Sequence, residues 1–106
     1  MATFRVFPKK ELVANSLIPS TLTAINTVDT WIFQISLANK TAVDTTVTIT
    51  DGQGTPHHLL KDLPFPANST AVIVYPHGHK MTDGVKWSAA DASTVDAEIF
   101  GYQKGV

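Results

Sequence analysis

Apolar residues recur at every second position over much of this chain, and that period admits few folds. In the stretch 30–39, Trp31, Phe33, Ile35 and Leu37 alternate with Ile32, Gln34, Ser36 and Ala38. In 45–50, Val47 and Ile49 alternate with threonines, and in 94–102, Val95, Ala97 and Ile99 alternate with Asp96, Glu98 and Phe100. Successive side chains of a strand point to opposite faces, so each run offers one face to a core and one to a wetter surface. Threonine and valine are frequent, and β-branched side chains fit a pleated surface better than a helix.

Turn residues fall between the runs: Asp51-Gly52-Gln53-Gly54, Pro64 and Pro66 around Phe65, Pro76-His77-Gly78, and Asp83-Gly84. Asp-Gly and other glycine-containing pairs supply the positive φ that tight connections require. Strands are therefore expected near 3–7, 10–14, 20–26, 30–38, 45–50, 57–60, 69–75, 84–89 and 94–102, with a loop over 76–83. The helical pattern SAADAS at 88–93 is too short to hold a helix by itself. Many short strands in 106 residues predict an all-β fold, a single antiparallel β-sandwich of jelly-roll or immunoglobulin-like topology. The expected core is Trp31, Phe33, Ile35, Leu37, Val47, Ile49, Val72, Val74, Val85, Trp87, Val95 and Ile99. Residues 17–106 form the expected sandwich. Residues 1–16, with Phe4, Val6, Phe7 and Leu12, read either as an N-terminal arm for a neighbouring subunit or as the sandwich's first hairpin.

Composition narrows the function classes. Apolar residues make up 43% and charged residues 16%, which fits a folded domain rather than a disordered tail. The net charge is −1 and the basic residues are scattered apart from Lys9-Lys10, so no basic face for nucleic acid is expected. There is no cysteine, which excludes disulfides and cysteine-based zinc sites. No apolar run approaches the roughly 20 residues that span a bilayer, and the first residues carry no signal-peptide pattern.

Four histidines are the main chemical candidates: His57 and His58 together, and His77 and His79 in YPHGHKMTDG. A His-x-His pair on an extended segment projects to one side, and histidine is the commonest metal ligand. A catalytic zinc site also needs a third protein ligand, which His57 or His58 would supply only if the two segments were neighbours. Flanked by Pro76 and Gly78, the pair reads instead as loop residues. No Gly-x-Ser-x-Gly, phosphate-binding or calcium-loop motif occurs. Asp96 and Glu98 share the wetter phase of a strand, and Asn39-Lys-Thr and Asn68-Ser-Thr read as turn residues. The expectation is a protein that is not an enzyme and has no cofactor. Tyr75 and Tyr102, at strand ends, are candidates for contact with a neighbour, a glycan or a receptor.

From residue 20 onward the layout resembles small β-sandwich virion accessory proteins of tailed bacteriophages. The likeness lies in LTAINT, DTTVTITDGQG, LLKDLPFPANSTAVIVYP, DGVKWSAA and the closing VDAEIFGYQ, taken in that order. It implies a capsid decoration or cement protein, or a neck or tail component, assembled in the host cytoplasm into the virion. Such proteins act through subunit interfaces, as homo-oligomers and with other capsid or tail proteins. Phe4, Phe7, Tyr75, His77, His79 and Tyr102 are the expected interface or receptor-contact residues, with a carbohydrate- or receptor-binding module as the alternative. No membrane or nucleic-acid partner is expected.

Overall fold

Eight strands make up the computed structural model, which describes residues 9–91 and 94–104. They are β1 (Lys9–Leu17), β2 (Thr23–Asn26), β3 (Thr30–Asn39), β4 (Thr45–Asp51), β5 (His58–Phe65), β6 (Thr70–Met81), β7 (Val85–Ala89) and β8 (Val95–Lys104). Sheet A has the order β1-β8-β3-β6 and sheet B the order β2-β7-β4-β5, and every pairing is antiparallel. β1 pairs with β8, β2 with β7, β3 with β6 and β4 with β5. The chain is thus one long hairpin with its tip at β4–β5, rolled so that each half contributes alternately to both sheets. This is the jelly-roll order, and it decides between the two topologies that the sequence left open.

The core lies between the sheets. Ile32, Ile35, Val95 and Ile99 of sheet A and Val47, Ile49 and Val85 of sheet B are fully enclosed, with Ile18 sealing the end beyond β1. Leu37, Phe65, Met81, Trp87, Ala89 and Ala97 are almost as deep. Burying an aliphatic side chain of this size contributes about 1.5–3 kcal/mol before entropy is charged. The expected positions Ile35, Leu37, Val47, Ile49, Val85, Trp87, Val95 and Ile99 are all buried.

Four expected core residues are not, and the cause is local. The registers of β3 with β6 and with β8 shift between Ile32 and Gln34, so Phe33 is an extra residue in the strand. A bulge of this kind reverses the phase of the alternation. Ile32 therefore points inward, while Trp31 and Phe33 lie on the outer face. In β6 the inward positions are Ala71 and Ile73, leaving Val72 and Val74 63% and 58% exposed.

The loop expected over 76–83 is also corrected. β6 continues to Met81, and its residues 75–78 stand opposite Phe33 alone, between the pairs Gln34–Val74 and Ile32–His79. Pro76 and Gly78, at φ +77°, are accommodated because β6 is an edge strand, with no second neighbour requiring its N–H groups. Pro64 sits within edge strand β5 for the same reason. The connection shrinks to residues 82–84, where Asp83 and Gly84 supply φ of +60° and +109°.

Within the segment 1–16, residues 9–16 belong to edge strand β1, bonded along β8. Residues 1–8, and with them the contact candidates Phe4 and Phe7, lie outside the described residues, as do 92 and 93. Ser88 and Ala89 of the SAADAS stretch end β7.

Two asparagines tie the layers. Asn26 of sheet B donates through Nδ2 to Thr30 Oγ1 at 2.9 Å and Gln103 Oε1 at 3.0 Å in sheet A, and its Oδ1 accepts the Val85 N–H at 3.1 Å. Asn39, 2% exposed, donates to the carbonyls of Val43 and Phe65 and accepts from the N–H and hydroxyl of Thr41. Its amide is fully engaged at the end of β3, whereas Asn68 occupies a turn at φ +56°.

Candidate functional site

The histidines occupy two separate places. His57, exposed, leads into β5, and its Nδ1 lies 3.3 Å from Asp51 Oδ2. Asp51 is buried and organises the turn: its Oδ1 accepts the N–H of Gln53 at 3.2 Å and of His57 at 3.0 Å. Burial pushes the Asp51 carboxyl up, but these N–H groups and the His57 ring outweigh it and hold the carboxyl below its usual range. The pair anchors the 51–57 connection, with the imidazole on its solvent side. His58 begins β5 and is exposed.

His77 lies in the bulge of β6 and His79 is the paired residue that ends it, both exposed. The His79 ring is 5.3 Å from that of Tyr75. Tyr75 itself is half-buried against the core, where burial raises its phenol pKa above the ordinary value. Among the described residues, no group of three or more His, Asp or Glu side chains is placed to hold a metal ion.

The outer face of sheet A gathers a different set. Trp31 pairs with Tyr102 across β3 and β8, and Gln34 with Phe100. The Phe33 ring meets Tyr102 edge-on at 5.8 Å, and Phe100 meets Tyr102 at 6.1 Å. Lys80 Nζ stands 5.9 Å from the Trp31 ring centre and 3.9 Å from Asp29. Val72 and Val74 are exposed on the same face at the free edge of β6, separated from β8 by Ser36 and Gln34 of β3. Further along the same face, Asp96 and Glu98 lie on the outer phase of β8, as their spacing predicts.

This surface can bury and stack. Tyr102 is the one candidate from the sequence that belongs to it. The alternation predicts Trp31, Phe33, Val72 and Val74 in the core and Phe100 on the wetter phase of its strand; all five are on this outer face. Phe100 carried a signal that was legible, since it and Tyr102 are large aromatics on the polar phase of one strand.

A second feature is a groove of about 570 Å³ where the β1 edge of sheet A faces the β2 edge of sheet B. Leu12, Ala14, Leu17, Pro19, Ile25 and Trp87 contribute to its lining, which includes no charged side chain. No helix among the described residues is long and apolar enough to cross a membrane.

Fold and surface together define a single jelly-roll sandwich with exposed aromatic and valine side chains on the outer face of one sheet. No protein family, no curated protein and no solved structure compared with the chain matches it.

Proposed function

We propose that this chain is a non-enzymatic structural protein of a phage particle, an accessory capsid protein or a neck or tail component, acting through its interfaces. The observation that carries this reading is the outer face of sheet A, where the aromatic cluster Phe33, Phe100 and Tyr102 and the exposed pair Val72 and Val74 lie on either side of Gln34 and Ser36. Exposed apolar clusters on a small protein mark places where something docks. The jelly roll supports the reading by analogy of fold, since viral capsid domains are among the proteins built this way. The sequence layout shared with small phage sandwiches points the same way. The partners are then other virion proteins and further copies of this chain, and the location is the virion after assembly in the host cytoplasm.

The test uses particles grown without this gene product. Purified chain added back should cosediment with them to saturation, and Tyr102→Ala with Phe100→Ala should weaken that binding. Particles that take up none of the chain would refute the proposal.

The aromatic set favours one second reading, a carbohydrate- or receptor-binding module, because lectin domains share the fold and Trp31 and Tyr102 offer stacking faces. Glycan binding abolished by Trp31→Ala or Tyr102→Ala would establish it. A glycan array without hits would remove it.

A further inference from the structure

The free edge of β6 is open and regular over Thr70–Tyr75, ahead of Pro76 and the bulge. β2 is only four residues long. β5 carries Lys61, Asp62 at φ +47°, Pro64 and two register irregularities. β1 begins with Lys9, Lys10 and Glu11, and only its second half, Leu12–Leu17, is uncharged and regular like the start of β6. Charges, prolines, bulges and short length are the devices that keep an edge from pairing with another chain. In β6, Thr70 to Tyr75 has none of them: the sequence TAVIVY holds no charge and no proline, and its register against β3 is unbroken from Ala38–Thr70 to Gln34–Val74.

The hydrogen-bond phase of this edge follows from the neighbouring pair. The Asn39 N–H donates to the Ser69 carbonyl at 2.8 Å, so 39 and 69 are a hydrogen-bonded pair. Such pairs alternate with non-bonded ones along an antiparallel ladder. Leu37–Ala71 and Ile35–Ile73 are therefore bonded, while Ala38–Thr70, Ser36–Val72 and Gln34–Val74 are not. Thr70, Val72 and Val74 thus turn both N–H and C=O away from β3, toward the free edge. No other described strand pairs with that edge.

We infer that this edge pairs antiparallel with β6 of a second copy, joining two A sheets into one eight-stranded sheet about a two-fold axis at Val72. An antiparallel strand pair is self-complementary, so one edge serves both partners. Side chains keep their faces only if paired residues share parity, and the register with Val72 opposite Val72 does so. It sets Thr70 against Val74 in both directions, so all three outward residues of each copy are matched, each pair exchanging two backbone hydrogen bonds. Val72 and Val74, more than half exposed in the single chain, come to lie beside Val72 and Thr70 of the second copy. Ala71 meets Ile73 on the inner face and extends the core layer. The pairing stops by itself, because the next outward match sets Asn68, at φ +56°, against Pro76, which has no N–H to give. The edge pairing does not rest on the virion reading: solution mass tests the one and particle binding the other.

Sedimentation equilibrium of the full chain over rising concentration should give a mass approaching twice 11.4 kDa. Val72→Pro removes a donor that faces away from β3, and Val72→Lys adds an edge charge. Both variants should keep the wild-type far-UV spectrum and sediment as monomers. Amide exchange at Thr70, Val72 and Val74 should be slow in the wild type at high concentration and at least about tenfold faster in Val72→Lys. A wild type that stays monomeric throughout overturns the inference, as does a dimer that persists in a folded Val72→Lys or Val72→Pro.

Discussion

The Phe33 ring covers Gly78 so closely that a Cβ at position 78 would stand 3.0 Å from the ring edge. Phe33 is the extra residue of β3, Gly78 sits in the wide bulge of β6, and the two irregularities face each other. One bulge thus determines which of the other's residues can be tolerated. It also puts Phe33 beside Tyr102 on the outer face.

Gly78→Ala should therefore destabilise the protein by about 1–3 kcal/mol, from the positive φ together with the ring contact. Thermal melting of the single variant and of the double variant with Phe33→Leu separates the two causes. A smaller cost for Gly78→Ala in the Phe33→Leu background identifies the ring contact, and what remains is backbone strain.

The phase change in β3 makes two aromatic truncations unequal. Trp87 is 4% exposed between the sheets, so Trp87→Ala should cost about 3–5 kcal/mol. Phe33, half-buried on the outer face, should cost under about 2 kcal/mol as Phe33→Ala. Urea denaturation of both compares them directly, and equal losses would mean that Phe33 faces the core.

What could be read from the sequence divides along the same line. Val47 with Ile49, Val85 with Trp87 and Val95 with Ile99 alternate against polar neighbours, so their inward faces were plain. The run Ala71-Val72-Ile73-Val74-Tyr75 is apolar on both phases, and alternation cannot say which phase is buried. A bulge adds one residue without a compositional mark, so the alternation alone predicts Trp31 and Phe33 inside. Pro76 and Gly78 announced irregular backbone, and only the position of β6 at a sheet edge turns that irregularity into a bulge rather than a loop. Strand order is a matter of pairings between distant residues, such as Lys9 with Lys104, and a single sequence holds no record of them.

Asn26→Ala should cost about 1–3 kcal/mol, because it removes the acceptor of the Val85 N–H, at a fully enclosed residue, and cuts the link to Gln103. Its effect on melting should exceed that of Asn68→Gly, which keeps the positive φ of the exposed turn without strain. Comparable losses would contradict the assigned role of Asn26 as a tie between sheets.

Acid stability should depend on Asp51. Burial raises its pKa, the His57 and Gln53 N–H groups and the His57 ring lower it more, and the folded value lies below the ordinary 3.8. A carboxyl depressed in this way stabilises the fold above its unfolded pKa and loses that contribution as pH falls through the folded value. Asp51→Asn should be less stable than wild type at neutral pH, and the gap should close on acidification below about pH 4. Stability curves that stay parallel down to about pH 2 would contradict this.

The central claim is that the protein serves a particle through its surfaces, and the composition of the particle tests it most directly. Quantitative peptide mass spectrometry of extensively purified particles from the source should find this chain in many copies, in a fixed ratio to the major capsid or tail subunits. A chain abundant in the lysate but absent from those particles would contradict the account.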